Sequence, residues 1–422
     1  MRDEDESRDR FWRIAAAGIS FQGGSAAVDS ATIIAGFVHA LTGSSIAVGV
    51  ASASLRFGWL FPQVFVGYLA QRSPRRMRFY IIGAFGRAAC LAMLAATVVG
   101  LYGSSPAVLT GVFFVLWIGY SFISGVVAVP YNDIVGRSIP SNRRSRMLAW
   151  RFFGGGILGV IVAAAAYRLL DALPFPQGHG GIFALAALLL FVSSLLFVSA
   201  GEPDTSPSSG RQKGFLPFLG DGVRVYREDG RFRLFLYSQW LGGAALMALP
   251  FYVVQAQTGG VDPKDVPLLL GAQMLGALAS NALWGHWGDR RGKQSLLEGV
   301  AVLRIAPPLA ALLLWALVPH ASAAILAAFL ALFFTLGALV NGTTIAMLGY
   351  LMEISPDDRR PAYSGYFNAF VAPASLLPII GGVIVDALSL PGVFVAAAIA
   401  AIGQYLAVRR LREVERADKN RR

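Results

Sequence analysis

The stretch GHWGDRRGK, Gly285–Lys293, ends an apolar run in a burst of charge. A near copy, GYLAQRSPRR, occupies Gly67–Arg76, and the two begin 218 residues apart. Other landmarks repeat at almost the same distance. PSNRR at 140–144 returns as PDDRR at 356–360, Arg87 as Arg304, Gln63 as Asn281 and Gln22 as Gln239, all offset by 216–218 residues. A constant offset over separate features marks two structural repeats in parallel.

Composition says where those repeats live. The chain has 422 residues, 55% hydrophobic and only 14% charged, against about 25% charged in a soluble domain. Apolar runs of about 20 residues recur, each long enough to cross a hydrocarbon core of about 30 Å. The fold class read from this is an all-α membrane protein of twelve transmembrane helices in two six-helix bundles. The spans run roughly over 12–40, 45–70, 79–101, 106–130, 147–170, 181–200, 232–257, 266–287, 294–317, 321–350, 362–387 and 391–408, with ends open by about 2–4 residues. The polar stretch GEPDTSPSSGRQKG divides the halves. The expected organisation is a bundle at 1–200, a flexible linker at 201–230, and a second bundle with a basic tail at 231–422.

Charge gives orientation. Alternate connections and the two ends hold 31 of the 36 Lys and Arg residues, and the other connections hold only Lys264. By the positive-inside rule both termini lie in the cytoplasm, and the expected location is a bacterial inner membrane. The net charge of +12 thus reflects insertion rather than nucleic-acid binding. One cysteine and four scattered histidines leave no disulfide and no metal-ligand spacing. No phosphate-binding loop is present, so ATP is not the expected driver, and no cofactor or catalytic cluster is expected.

With twelve spans, 6+6 repeats and G-x-x-x-D-R-x-G at Gly285, Asp289, Arg290 and Gly292, the chain resembles the major facilitator superfamily from about residue 11 to 408. The first copy departs from that signature, with Gln71 in place of the Asp and Pro74 in place of the second Gly. The resemblance implies two bundles related by a pseudo-two-fold axis, a cavity lined by spans 1, 4, 7 and 10 beside 2, 5, 8 and 11, and alternating access. It also implies that the 285–293 loop is a latch clamping the halves on the inside; the plainer reading is a topology anchor. The glycine signature of many drug–proton antiporters is absent from span 5, which carries GGGILG at 154–159.

Polar stripes mark the candidate pathway. Span 1 carries Gly18, Gln22, Ser25, Asp29, Thr32 and Gly36, and span 2 carries Ser45, Gly49, Ser52, Arg56, Trp59, Gln63 and Gly67, both at helical spacing. Lipid cannot satisfy such faces, so they turn toward protein or water. At 1.5 Å per residue, Asp29 lies about 22 Å deep and Arg56 about 20 Å. A lone charge there costs about 2.5–3.5 kcal/mol on the insertion scale. Asp29 and Arg56 are therefore expected to face one another or share a substrate. The pair reads as a fixed ion pair, as a proton-coupling site at Asp29, or as an anion site at Arg56.

Gln239, Tyr252, Gln273, Asn341 and Asn368 join the candidate lining, though buried amides also bond helices together, and for Trp240, Phe251 and Tyr252 core packing is the plainer reading beside an aromatic wall. Arg87 and Arg304 read as structural. Asp133 and Glu353, followed by Arg143, Arg144, Arg359 and Arg360, read as gate or topology residues. The expected function is secondary transport of a small amphipathic or anionic solute, proton-coupled, with export favoured over uptake. The expected partners are that solute, membrane lipid and a proton, acting on a monomer. An uptake symporter of an organic anion and a lipid flippase are the alternatives.

Overall fold

The computed structural model describes residues 2–71, 75–101, 103, 105–203, 215–317, 323–356 and 360–421. Among these the chain is helical throughout, without strands. Among the described residues nine helices are long and apolar enough to cross a membrane. The last, Tyr363–Val414, folds back at Ser389, where φ is 64° just before Pro391. That bend separates spans 11 and 12. Span 1 (Arg2–Ala27 and Ile33–Thr42) and span 2 (Ser45–Gln71) complete the twelve expected crossings.

Span 1 is interrupted between Ala27 and Ile33, and span 7 between Ala245 and Phe251, again 218 residues apart. The causes are local and different. In span 1, Asp29 Oδ1 accepts the amides of Ala31 and Thr32 and the Thr32 hydroxyl at 2.8–3.0 Å, an Asx-type turn that competes with the helix. In span 7, Pro250 lacks the N–H that the ladder needs, and a short 3-10 turn, Leu246–Ala248, fills the gap. Span 11 is also broken, by the Ala372–Leu376 turn around Pro373. Broken membrane helices leave polar backbone exposed where a cavity can use it.

The buried core shows which way the two halves are joined. One apolar cluster runs across both halves on the face away from the termini, from Ile34, Phe37 and Val48 to Val254, Val266 and Leu269. On the face bearing the termini the core splits. Phe11, Ile14, Tyr80 and Ile134 cluster in the first half, and Phe235, Leu296, Tyr350 and Leu411 in the second. Backbones touch only where glycine permits it on the joined face: a Cβ at Gly49 would stand 2.3 Å from the Pro378 carbonyl oxygen, and one at Gly382 2.6 Å from that of Ser45. Lys264 Nζ reaches Asp171 Oδ1 at 3.6 Å between the halves on that face. The bundles are thus closed away from the termini and parted toward them.

The expectation of a flexible linker over 201–230 is corrected in part. Residues 204–214 lie outside the described residues, but Phe215–Glu228 is a helix. Its apolar residues recur at helical spacing and it packs on the second half. Val225 is buried, Gly222 faces the Tyr366 ring, and Tyr226 stacks on Phe370 at 5.5 Å. The linker's first residues are pinned as well. Glu202 accepts the amides of Arg76 and Met77 at 3.0 and 2.9 Å, capping span 3 (Met77–Gly100) with a carboxylate where the helix dipole favours one.

Candidate functional site

The predicted contact between Asp29 and Arg56 is absent: among the described residues no hydrogen bond or ion pair joins them. The short turn at the break in span 1 turns the Asp29 carboxylate onto its own backbone, and Gln273 of span 8 (Val266–Arg290) approaches it from the other half. Local hydrogen bonds win over a more distant guanidinium because they cost no extra side-chain ordering.

Arg56 makes no hydrogen bond or ion pair among the described residues. Its side chain stays open to solvent although protein atoms enclose it, which places it in a hollow rather than against lipid. Arg304 of span 9 (Lys293–Leu303 and Ala306–Leu317) lies close enough that the two charges interact. Arg304 is buried at 4% exposure and donates to Gln404 Oε1 at 2.7 Å and to Thr343 Oγ1. Gly242 makes room for it, since a Cβ there would stand 2.4 Å from Arg304 Nη1. Among the described residues no carboxylate pairs with either arginine. Positive charge from both halves without a paired carboxylate is electrostatically complementary to an anion.

The other candidates divide. Trp59 and Asn368 are exposed, Gln22 and Ser25 half-buried, with Gln22 packed on Gly155 of span 5. Gln239 is buried and bonds Ser238 Oγ at 3.3 Å. Three assignments are corrected. Tyr252 is 3% exposed and stacks on Phe394 at 5.1 Å, as core of the second half. Gln63 returns its amide to the Trp59 carbonyl at 2.7 Å. Asn341 ties span 10 (Ala323–Ile354) to span 8 through Ala277 O and Asn281 Oδ1, at 2.8 and 3.0 Å.

The terminal face carries charged clusters within each half. Asp133 pairs with Arg76 and Arg137, and Arg137 reaches Glu202 at 2.8 Å. In the second half Asp289 pairs with Lys293 at 3.0 Å and is otherwise 79% exposed, and nothing lies within 4 Å of a Cβ at Gly285. Among the described residues this loop thus makes no ion pair to the first half. Gly292 turns the loop with φ of 84°. Arg290 and Glu353 are exposed. Arg359 and the side chain of Arg360 lie outside the described residues. Sequence reasoning missed Glu202, whose only signal was its place at the linker's start, and it set Arg304 aside as structural because its span is an outer one in the family pattern.

The Major Facilitator Superfamily profile matches residues 14–262 and 256–422. No curated protein matches by sequence. Among solved structures the chain is similar to a mutant of the nucleoside transporter NupG, with TM-score 0.75, 11% identity, and coverage of 95% of this chain and 99% of that one. It is similar to a bacterial homologue of the iron transporter ferroportin in an inward-facing state, at TM-score 0.70, 12% identity and 95% and 98% coverage. It is also similar to a D-xylose–proton symporter, at TM-score 0.68, 16% identity and 95% and 96% coverage. At such identities the likeness is one of fold.

Proposed function

The chain belongs to the major facilitator superfamily and is a transporter, not an enzyme; on that premise we propose that its solute is a small organic anion bound between Arg56 and Arg304. The observation that carries this reading is that Arg56 and Arg304, on opposite halves, feel one another's charge while no carboxylate pairs with either among the described residues. A bound carboxylate or phosphate relieves their repulsion and draws the halves together, so its binding energy serves the rocking motion itself.

The basic connections put the termini in the cytoplasm of the cell membrane, so the hollow opens inward. An interior-negative potential of 100 mV favours exit of a monovalent anion by about 2.3 kcal/mol, which supports export. Asp29 is the carboxylate at mid-depth through which a proton would be coupled. Its contact with Gln273 spans the halves, so gaining or losing a proton there would bias the same motion. The test uses proteoliposomes with an imposed pH gradient, comparing labelled organic acids with their neutral amides. Accumulation of an acid but not its amide upholds the reading, and movement of amides alone refutes it.

A further inference from the structure

Arg87, the repeat counterpart of Arg304, sits in a different environment. It is 4% exposed on span 3, yet its Nε has no partner, and no hydrogen bond or ion pair to it exists among the described residues. Its guanidinium lies over the Phe21 ring at 4.6 Å. Arg151 of span 5 (Ser141–Ala172) approaches the same ring at 5.6 Å, also with its Nε unpartnered. Both line a cavity of about 120 Å³ inside the first bundle. That is room for about four waters at roughly 30 Å³ each, and so for one carboxylate or phosphate group.

The lining supplies donors and rings but no acid. Tyr131 and Asn132 border the cavity from span 4 (Pro106–Ser138), Tyr80 from span 3 and Trp59 from span 2. The neighbouring Asp133 is already committed to Arg76 and Arg137. Arg151 donates one bond, to the Tyr131 hydroxyl at 3.0 Å, and Arg87 none. Arginine does not shed its proton in proteins, and a buried charge without partners is costly. Ring faces offset only part of that cost. In the second bundle the equivalent arginine donates from both terminal nitrogens, to Gln404 and Thr343, though its Nε is likewise unpartnered; Arg87 has neither of those bonds.

We infer that the cavity between Arg87 and Arg151 is a second anion site, within the first bundle, taking a single carboxylate or phosphate group. It is independent of the Arg56–Arg304 reading. The anion comes either free or as the acidic end of an amphipathic molecule whose tail lies along Trp59, itself 44% exposed.

Titration calorimetry on the purified full chain, at matched ionic strength, tests this with inorganic phosphate, acetate and octanoate as probes. The inference requires saturable binding of at least one probe to wild type. That binding weakens about tenfold or more in Arg87→Gln and Arg151→Gln and survives in Arg56→Gln. Binding of phosphate or acetate identifies a free anion, and binding of octanoate alone identifies an acidic headgroup. Arg151→Gln lies at the half-buried rim and keeps the test open if Arg87→Gln does not fold. Absence of saturable binding of all three probes to wild type overturns the inference, as does binding unchanged in both pocket variants or lost equally in Arg56→Gln.

Discussion

Arg56 of the first half and Arg304 of the second stand close enough for their positive charges to interact, and the two are anchored very differently. Arg304 is held by Gln404 and Thr343, whereas Arg56 makes no hydrogen bond among the described residues. One guanidinium is thus fixed and the other unbonded, which suits the closing motion of the proposed site.

The difference predicts separable phenotypes. Arg304→Gln strands Gln404, which is 2% exposed, and should destabilise the protein by about 1–3 kcal/mol, read as a lower melting temperature. Arg56→Gln removes a like-charge contact and should leave the ligand-free melting temperature unchanged or higher.

Asp29 has two jobs that substitution can separate. Asn caps as well as Asp, so Asp29→Asn keeps the turn in span 1, whereas Asp29→Ala should cost about 0.5–2 kcal/mol. If Asp29 couples a proton, Asp29→Asn folds normally but loses the response of transport to an imposed pH gradient. Unchanged pH-driven accumulation would exclude it as the coupling residue.

Gly49 controls closure of the face away from the termini. A Cβ there collides with the Pro378 carbonyl, so Gly49→Val should force the halves apart on that side. Labelling of a cysteine introduced at Asp171, in a background with Cys90 replaced, should then speed up. The Lys264–Asp171 pair itself is half exposed, and breaking it should cost less than about 1 kcal/mol.

Glu202 gives a pH dependence with a definite sign. Burial pushes its carboxyl up, but bonds from Arg137 and the Met77 and Arg76 amides outweigh this and hold it below its ordinary range. A lowered folded value stabilises fully above the unfolded carboxylate pKa of about 4.3 and is lost as pH falls through the folded value. Glu202→Gln should therefore lower the melting temperature at pH 7, with the gap to wild type narrowing below about pH 4.

The fold was legible in the sequence because its signals were repeated: apolar runs of membrane length, the alternating basic connections and a 218-residue offset. The broken spans were not, since Asp29 and Pro250 act through single local turns that a hydropathy run averages away. At the site, depth counting nominated Asp29 and Arg56 as a pair. It could not say that Asp29 would satisfy itself on Ala31 and Thr32. Nor could it show that Arg304, 248 residues from Arg56, would feel its charge. Asn341 and Gln63 misled for a simpler reason: a polar side chain in a membrane helix has backbone carbonyls within reach, and those two use them.

Anion counterflow in proteoliposomes, measured side by side for wild type and Arg56→Gln, probes the two-arginine site most directly. The account predicts exchange of a labelled organic acid by wild type, cut at least about tenfold in the variant while the variant elutes and melts like wild type. Equal exchange by both proteins would contradict it.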